Sequence, residues 1–259
     1  MIKHAVITGG ASGMGKVFTQ RMAAQGIQVS CFDRNQTALD ALDGQANIFP
    51  VNVDVCDAQT LRAVIAEAVV RSGPVDRLVT CAAIMPTSPL AIQAAEEIQR
   101  IMAINYGGTV NAVQAIVADM LQRNAGQIII FGSTGGKVHV PECGAYCASK
   151  AATEAYFDVL VEENRQSAVQ LMLVCPALVD TPLLQQAVES SNPQNIQDSI
   201  KHKRFASAEW IIDQVESGLR RKTRVLKPGL DAKIMMWIRQ YFPALAWKIM
   251  HLSNRKAGA

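Results

Sequence analysis

The sequence predicts an α/β fold: a doubly wound parallel sheet with helices on both faces. Three observations indicate it. Short apolar runs alternate with longer helical stretches, the first run ends in a glycine-rich turn, and no repeat or low-complexity tract interrupts this order. The runs are continuously apolar, which is typical of strands buried on both faces of a sheet. With 259 residues, 49% of them hydrophobic, the chain is long enough to bury one large core.

The predicted elements follow in order along the chain. The first strand ends at glycines and leads into a helix that stops at Gly26. Further helices are predicted where apolar residues recur at helical spacing, as Leu61, Ile65 and Ala68 do. The expected strands are 4–9, 27–33, 47–54, 76–82, 127–133, 169–175 and one near 223–226, and the expected helices are 14–25, 57–72, 96–123 and 145–167. We therefore predict one domain over 1–230, followed by a helical tail over 231–259.

The turn "TGGASGMG" (8–15) predicts a phosphate-binding site. Gly9, Gly13 and Gly15 lie between the first strand and the first helix, where glycine lets the backbone approach a ligand closely. The amide groups and the positive end of the helix would then face a pyrophosphate. The spacing is not that of the regular G-x-G-x-x-G motif, so the prediction depends on the order of strand, turn and helix. A glycine-rich turn without a ligand is the alternative.

Asp33 predicts which dinucleotide binds. It ends the second strand, 18 residues after Gly15. A carboxylate there can accept hydrogen bonds from the ribose hydroxyls of the adenosine half, and it would repel a 2′-phosphate. Ser12, rather than a basic residue, precedes Gly13, and Arg34 alone does not remove that repulsion. We therefore predict NAD rather than NADP as the cofactor.

The stretch "YCASK" (146–150) places Tyr146 and Lys150 one helical turn apart. Taken alone, the pair fits a proton donor beside its cation or an ordinary surface pair. Further motifs stand in order over residues 2–226: "TGGASGMG", "VDVCD" (53–57), "INYGG" (104–108), "FGSTGG" (131–136), "YCASK" and "PALVDTP" (176–182). In these motifs and their order the chain resembles the short-chain dehydrogenase/reductase family in its one-domain form, with a Rossmann-type fold.

That resemblance implies a set of site residues. The catalytic residues would be Asn105, Ser133, Tyr146 and Lys150. The Tyr146 hydroxyl would act as general acid and base, favoured as a phenolate by Lys150 and the positive nicotinamide ring. Ser133 would bond the substrate oxygen, and Asn105 would hold a water. The cofactor would contact Gly9, Ser12, Gly13, Met14, Gly15, Asp33, Asp54, Val55, Cys81, Tyr146, Lys150, Pro176, Val179 and Thr181.

The chain departs from the family pattern after the fourth strand. The family often has N-N-A-G there, whereas this chain has "TCAA" (80–83), with Thr80, Cys81 and Ala83 in place of the two asparagines and the glycine. The hydrogen bonds usually made there to the sheet and the adenosine side are therefore in doubt. The four catalytic residues implied by the resemblance are unaffected.

Composition and charge limit the kinds of partner, metal site and cellular location that the sequence predicts. A formal net charge of +3 is too small to predict nucleic-acid binding. The six cysteines include no C-x-x-C pair, and Cys143 and Cys147 have no further Cys/His cluster beside them, so we predict no metal site. The start "MIKHAVITGG" runs straight into a strand and shows no signal peptide. Together these features favour a cytoplasmic protein.

The residues after Thr181 predict the substrate side. By resemblance, 183–206 would form a mobile lid, whose Asn/Gln/Ser-rich middle fits a segment that orders on binding. The apolar residues expected to line the cleft are Met85, Pro86, Val140, Leu183, Leu184, Ala187 and Val188, together with His139. An apolar cleft suggests a hydrophobic secondary alcohol or ketone as substrate.

The tail differs in charge from the rest of the chain. Residues 1–199 carry 12 Lys/Arg against 18 Asp/Glu, whereas residues 200–259 carry 13 against 4. Apolar residues fall on one helical face before Pro243 and on another after it: Ile234, Trp237, Ile238 and Tyr241, then Leu245, Ile249 and Leu252. The pattern predicts a helical hairpin that packs on the body or on a partner subunit. A basic amphipathic segment resting on an anionic membrane is the alternative.

Two functions fit the sequence. The first is an NAD-dependent oxidoreductase that acts on a secondary alcohol or ketone, with NAD favouring oxidation. The second is a dinucleotide-binding sensor or scaffold with little turnover. A pure binder has no need of Ser133 and Tyr146 together, so the sequence favours the enzyme. The family resemblance also implies a homodimer or homotetramer, with helices near 98–123 and 145–167 pairing across a two-fold axis.

Overall fold

A computed structural model describes residues 1–255, with side chains for all of these except 231, 232 and 250–255. Its centre is a sheet of seven parallel strands in the order β3-β2-β1-β4-β5-β6-β7. The strands are β1 His4–Thr8, β2 Gln28–Asp33, β3 Ile48–Asn52, β4 Arg77–Thr80, β5 Gln127–Phe131, β6 Gln170–Val174 and β7 Val225–Leu226. The predicted doubly wound fold is confirmed.

Helices cover both faces of the sheet. They are α1 Gly13–Ala24, α2 Gln36–Asp40, α3 Ala58–Ser72, α4 Ala95–Met102, α5 Gly108–Gln114, α6 Val117–Arg123, α7 Gly144–Glu163, α8 Pro182–Glu189, α9 Gln194–Lys201, α10 Ala208–Arg220, α11 Leu230–Tyr241 and α12 Pro243–Arg255. The sequence did not predict α2, α8, α9 or α10 as helices. It placed α1, α3 and α7 to within a few residues, because their apolar positions recur at helical spacing.

Alternate residues of each strand supply the two cores. In β1, Val6 belongs to the core with α3, α5 and α7, and Ile7 to the core with α1 and α10. Both side chains have no exposed surface, because successive residues of a strand point to opposite faces and each face is covered by helices. This burial explains why the strands read as continuous apolar runs.

The single helix expected over 96–123 is divided into three. A π-helical turn, Ala103–Gly107, separates α4 from α5, and α5 and α6 are separate at Ile116. The break at 103–107 surrounds Asn105, whose amide is bonded to other segments rather than exposed on a helix surface. By length and composition Ala95–Arg123 could cross a membrane, yet half of its most apolar window is buried in the fold, where α4 packs on α7 and α5 on α3.

The C-terminal residues form the predicted helical hairpin. It begins at Leu230, next to the predicted boundary between 1–230 and 231–259, and its second helix starts at Pro243 as expected. Proline suits the first position of a helix, where its missing N–H costs no hydrogen bond. The two helices pack on each other, and α12 also packs on α9. Residues 256–259 of the tail and the side chain of Leu252 lie outside the described part of the chain.

Candidate active site and dinucleotide cleft

Two adjoining cavities lie at the carboxyl ends of the central strands. The strand order changes direction between β1 and β4, and ligands of open parallel sheets bind beyond the strand ends at such a point. The glycine-turn cavity, of about 290 Å³, is lined by residues that follow β1, β2, β3 and β4. The Tyr146 cavity, of about 180 Å³, is lined by residues that follow β5 and β6 and by α7. Both cavities share Met14, Cys81, Ala83, Thr181 and Leu183.

The predicted cofactor residues divide between these two cavities. The glycine-turn cavity takes Gly9, Ser12, Gly13, Met14, Gly15, Asp33, Asp54, Val55, Cys81 and Thr181. The Tyr146 cavity takes Tyr146, Lys150, Pro176 and Val179, and it shares Met14, Cys81 and Thr181. The structure therefore brings all of them to one cleft. Their binding role stays a prediction.

The glycine turn requires glycine for two physical reasons. Gly9 and Gly13 have φ of +65° and +48°, in the left-handed region that other residues rarely adopt. A Cβ on Gly9 would lie 2.7 Å from the amide nitrogen of Ala82, and one on Gly15 would lie 2.0 Å from the carbonyl oxygen of Gly9. The turn is thus packed backbone against backbone, between β1 and the segment that follows β4.

The first turn of α1 presents main-chain donors to this cavity. Ser12 occupies the N-cap position of α1, and its side chain accepts no hydrogen bond from the turn. Within the described residues, no side chain caps these N–H groups, and the N-terminal end of a helix carries a partial positive charge. The donors and the charge fit an anionic group such as a pyrophosphate.

Two acidic side chains hold fixed positions in the glycine-turn cavity. Asp33 Oδ2 accepts a hydrogen bond from the amide of Ala11 at 3.1 Å, and Oδ1 accepts one from Asn35 at 3.0 Å. Asp54 Oδ1 accepts from the amide of Cys56 at 2.8 Å. These amides hold each carboxylate in one orientation. Arg34 and Asn35, which follow Asp33, also line the cavity.

Tyr146 and Lys150 lie on the buried face of α7. They are 8% and 3% exposed, and the Lys150 Nζ lies 5.8 Å from the centroid of the Tyr146 ring. The ammonium donates to the carbonyl oxygen of Phe131 at 2.7 Å, which ties it to the end of β5. An ordinary surface pair is therefore excluded. The helix presents both side chains to one cavity.

Burial shifts the pKa of both groups. It lowers the pKa of Lys150 to about 8, against a smaller opposing effect of Cys81, Cys175 and Glu154. Burial raises the pKa of Tyr146, and hydrogen bonding by Ser133 partly opposes the rise. In the protein without cofactor, the pKa of Tyr146 is therefore raised. The sequence-based expectation of a lowered pKa applied to a phenol beside two cations, Lys150 and the nicotinamide ring. The protein alone thus holds Tyr146 as a neutral proton donor.

Ser133 follows β5 and caps a short 3-10 turn, Thr134–Gly136. Its hydroxyl oxygen accepts a hydrogen bond from the amide of Gly135 at 3.0 Å and faces the Tyr146 cavity. Because that bond fixes the oxygen, the hydroxyl proton is left to bond a ligand or Tyr146. The serine and tyrosine therefore converge on one point, as the resemblance implies.

Asn105 does not line either cavity among the described residues. It is fully buried; its side chain accepts from the amide of Ile84 at 2.8 Å and donates to the Ile84 carbonyl at 2.9 Å and to Ser149 Oγ at 3.0 Å. It thereby joins the π-helical turn to the segment after β4 and to α7, in the turn before Lys150. The structure shows a cross-link; its proposed water-holding role stays a prediction.

The departure at 80–83 is visible in the packing. The Thr80 hydroxyl is buried and has no hydrogen-bond partner among the described residues. Cys81 keeps its main-chain bond to Thr8, at 3.0 Å, and lines both cavities. The main-chain path is thus preserved although the side-chain bonds differ.

The apolar wall of the Tyr146 cavity was predicted in part. Met85, Val140, Leu183 and Leu184 line it as expected, and Ala187 and Val188 pack behind them. His139 and Pro86 are not among the described lining residues; His139 lies 3.5 Å from Arg239 of α11 instead. The reasoning missed Cys143, Cys147, Leu178, Asn195 and Ile196. The positions of Asn195 and Ile196 depend on how α9 folds back, and no local pattern carries that information. Cys143 and Cys147 lie within three residues of Tyr146, and Leu178 lies in the motif 176–182, so closeness in sequence was the signal that could have indicated them.

The expected lid, 183–206, contains α9 and all of α8 after Pro182; its expected mobility stays a prediction. The Gln186 side chain accepts a hydrogen bond from the amide of Met85, and Thr87 Oγ1 donates to the Ala187 carbonyl at 3.1 Å. Ser190 Oγ accepts from the amide of Thr87 at 3.0 Å. These contacts fasten α8 to the segment after β4 and close one side of the Tyr146 cavity.

Glu154 is a buried acid that the sequence reasoning missed. It lies one turn after Lys150 on α7, is 2% exposed and pairs with Lys137 at 3.5 Å. Burial raises its pKa, and Lys137 opposes the rise. The spacing Tyr146, Lys150, Glu154 was the signal that could have indicated it, because residues four apart share a helical face.

Comparison with known proteins now fixes the family. A sequence model of short chain dehydrogenases matches residues 3–192. The chain belongs to the short-chain dehydrogenase family of oxidoreductases.

Relatives and solved structures agree with this assignment. The chain is 29% identical over 261 residues to mouse dehydrogenase/reductase SDR family member 7B, covering 97% of this chain and 81% of that protein. It is 32% identical over 188 residues to the 2-dehydro-3-deoxy-L-rhamnonate dehydrogenase (NAD(+)) of a Sphingomonas species, covering 72% and 76%. The Burkholderia phymatum short-chain dehydrogenase/reductase solved with NAD has the same fold, with a TM-score of 0.82 and 23% identity over 94% of this chain and 95% of that one.

Proposed function

We propose that this short-chain dehydrogenase uses NAD to interconvert a hydrophobic secondary alcohol and its ketone, with Tyr146 as the general acid and base. The observation that carries the proposal is the junction of the two cavities. Tyr146, Ser133 and Lys150 line one cavity, which shares five residues with the cavity of Asp33 and the glycine turn. A dinucleotide that extends from one to the other would bring its reactive ring to the Tyr146 hydroxyl.

The residues of the glycine-turn cavity fit NAD. The α1 amides and glycine turn suit a pyrophosphate, and the Asp33 carboxylate, held by two main-chain amides, suits a ribose with two free hydroxyls. The same carboxylate disfavours the 2′-phosphate of NADP. A relative of the chain is named for NAD(+), and a solved structure of the same fold contains NAD. Bound here, NAD supplies the hydride chemistry.

The chain itself supplies proton transfer and positioning. Tyr146 holds the proton that the substrate oxygen gains on reduction or gives up on oxidation, and Ser133 bonds the same oxygen and stabilises charge on it. Lys150, anchored on the Phe131 carbonyl, keeps further N–H groups for the nicotinamide ribose and places a cation beside the phenol. Asn105 acts indirectly, because it holds α7 and the segment after β4 together.

The substrate proposal rests on the lining of the Tyr146 cavity. Apolar side chains surround the serine and the tyrosine: Met85, Val140, Leu178, Leu184 and Ile196. A sugar acid would meet few polar partners there, whereas an aliphatic or ring alcohol would bury apolar surface. The NAD preference favours alcohol oxidation.

We further propose a homodimer or homotetramer formed through the helices near 98–123 and 145–167. We also propose a cytoplasmic location, with peripheral contact to a membrane.

The rival is a dinucleotide-binding sensor or scaffold. The experiment is a panel of hydrophobic secondary alcohols with NAD⁺ or NADP⁺, followed by the absorbance of the reduced cofactor. We expect turnover with NAD⁺ and none from the Tyr146→Phe control. Cofactor binding without turnover of any alcohol, or of the matching ketones with NADH, would favour the sensor. A higher kcat/KM with NADP⁺ would overturn the cofactor proposal.

A further inference from the structure

The C-terminal hairpin exposes a continuous apolar face. Trp237, Tyr241 and Phe242 are 56%, 59% and 51% exposed, and the Trp237 ring lies 5.6 Å from each of the other two rings. Leu230, Ile234 and Leu245 are exposed beside them. Met236 and Ala246, in contrast, are buried. The hairpin is thus fixed by one side and presents clustered aromatic side chains on the other, which marks an interaction surface.

The hairpin that carries this face packs on elements that line the Tyr146 cavity. The helix α12 packs on α9, which supplies Asn195 and Ile196 to the cavity lining. On the other helix, Arg239 lies 3.5 Å from His139 Nδ1, and the next residue, Val140, lines the cavity. Whatever covers the hairpin face therefore lies beside the elements that enclose the cavity.

Exposed cations lie on the hairpin and on the helix against which it packs. Lys201, His202, Lys203 and Arg204 are exposed at the end of α9, the helix on which α12 packs, and are followed by the half-exposed Phe205. Lys233 and Lys248 are exposed on the hairpin. Between 230 and 255 the sequence holds four Lys/Arg and one acid, Asp231. This composition contrasts with residues 1–199, which carry an excess of acids.

Exposed aromatic and aliphatic side chains on elements rich in cations match an anionic bilayer surface better than a second copy of the chain. At a bilayer the rings enter the headgroup region and the cations meet anionic lipids. In a two-fold dimer through the same face, both sides of the interface would carry this one cation-rich patch, so positive charge would be brought towards positive charge. The occupant favoured by charge is therefore a membrane.

We propose that α11, α12 and residues 201–205 form a peripheral docking surface for anionic membranes. Docking would place the Tyr146 cavity beside the bilayer, so that a lipid-like alcohol or ketone could enter from it. The docking surface stands independently of the redox chemistry, but the entry of a lipid substrate rests on the proposed function.

The test is co-sedimentation of the full-length protein with vesicles of phosphatidylcholine, with or without phosphatidylserine. We expect wild type to pellet with the anionic vesicles at about 0.1 M salt and about tenfold less at about 0.5 M salt or with phosphatidylcholine alone. Trp237→Ser/Phe242→Ser and Lys201→Glu/Lys203→Glu/Arg204→Glu should each pellet about tenfold less. The control Val70→Ser/Ile92→Ser removes two apolar side chains elsewhere that are even more exposed, and it should pellet like wild type.

Several results would overturn the docking surface. The first is that wild type does not pellet with anionic vesicles, and the second is that the variant Trp237→Ser/Phe242→Ser pellets as much as wild type does. The third is that light scattering shows a dimer for wild type but a monomer for this variant, which would mean that the face is a subunit interface. Unchanged circular dichroism shows that the variants are folded. Oxidation of a soluble alcohol without vesicles reports separately on the proposed function. Vesicle binding without oxidation would support the docking surface and contradict the proposed oxidoreductase function. Oxidation without vesicle binding would support the proposed function and contradict the docking surface.

Discussion

One wall of the glycine-turn cavity is the main chain of a single short segment, whereas the Tyr146 cavity is enclosed by side chains from distant segments. In the first, Gly9, Gly13 and Gly15 shape the wall within seven residues of one another, and two amides fix Asp33. In the second, α8 and α9 close over residues about a hundred positions earlier, through Gln186 and Thr87. A backbone cradle tolerates little change, while a side-chain wall can be altered to admit another substrate.

The largest effect is expected at Gly15, in the backbone cradle. A Cβ added there would lie 2.0 Å from the Gly9 carbonyl oxygen, so the turn must shift. We expect Gly15→Ala to weaken NADH binding by at least about a hundredfold, because a shift of the turn would displace several main-chain N–H groups that must bind the pyrophosphate at the same time. Gly107→Ala is the control, since its Cβ would meet only the Met102 carbonyl oxygen at 4.0 Å. Fluorescence titration with NADH measures both; equal affinities would show that the turn is not a cradle.

The second prediction concerns the buried cation of the Tyr146 cavity. Because burial lowers the pKa of Lys150 from 10.5 to about 8, the unfolded chain binds more protons than the folded chain between these values. The stability contribution of Lys150 is therefore full above pH 10.5 and lost as pH falls through about 8. As the pH rises from about 8 to 10.5, the free energy of unfolding of wild type should increase by about 3 kcal/mol relative to that of Lys150→Met.

Urea unfolding at a series of pH values measures that difference. The exposed Lys3→Met serves as the control and should follow wild type at every pH. If the difference in free energy of unfolding between wild type and Lys150→Met is the same at every pH, Lys150 is solvated in the folded protein, contrary to its position in the structure.

A third substitution sharpens the contrast at the ribose. Asp33→Ser keeps a hydrogen-bonding group but removes the charge that repels a 2′-phosphate. We expect the ratio of kcat/KM for NADP⁺ to that for NAD⁺ to rise about tenfold or more. Asp43→Ser removes an exposed acid at a distance in sequence and should leave the ratio unchanged. If Asp33→Ser leaves the ratio unchanged as well, Asp33 does not select the cofactor.

The smallest effect is expected from the side-chain wall. Thr87→Val keeps the shape of the residue but removes the hydroxyl that bonds the Ala187 carbonyl and Ser190. We expect α8 to be held less firmly and KM for the alcohol to rise at least about fivefold, with KM for NAD⁺ unchanged, since each of the hydrogen bonds that is lost contributes about 1 kcal/mol. Ser88→Ala, at the adjacent residue, should behave as wild type. A rise in both KM values would mean that the two cavities do not separate cofactor from substrate.

The same contrast explains what the sequence could predict. The strands were evident because burial on both faces makes them uniformly apolar. The meeting of the glycine turn with Asp33 in one cavity was predictable because the two stand at the ends of neighbouring strands, while their role in binding a cofactor stays a prediction. Asn105 was placed in a continuous helix; a π-helical turn that serves bonds to Ile84 and Ser149 has no local signature. Ile196 was missed because it reaches the cavity only through the long-range folding of α9.

The account depends most on the Tyr146 hydroxyl as the group that exchanges the substrate proton. The direct measurement is single-turnover reduction of NAD⁺ by Tyr146→Phe, beside a titration of its NADH affinity. We predict a loss of rate of about 10² to 10⁴ with NADH affinity unchanged, because the ring still fills its place but carries no exchangeable proton. Retention of more than about a tenth of the wild-type rate would contradict the account, since general acid–base catalysis contributes far more than tenfold.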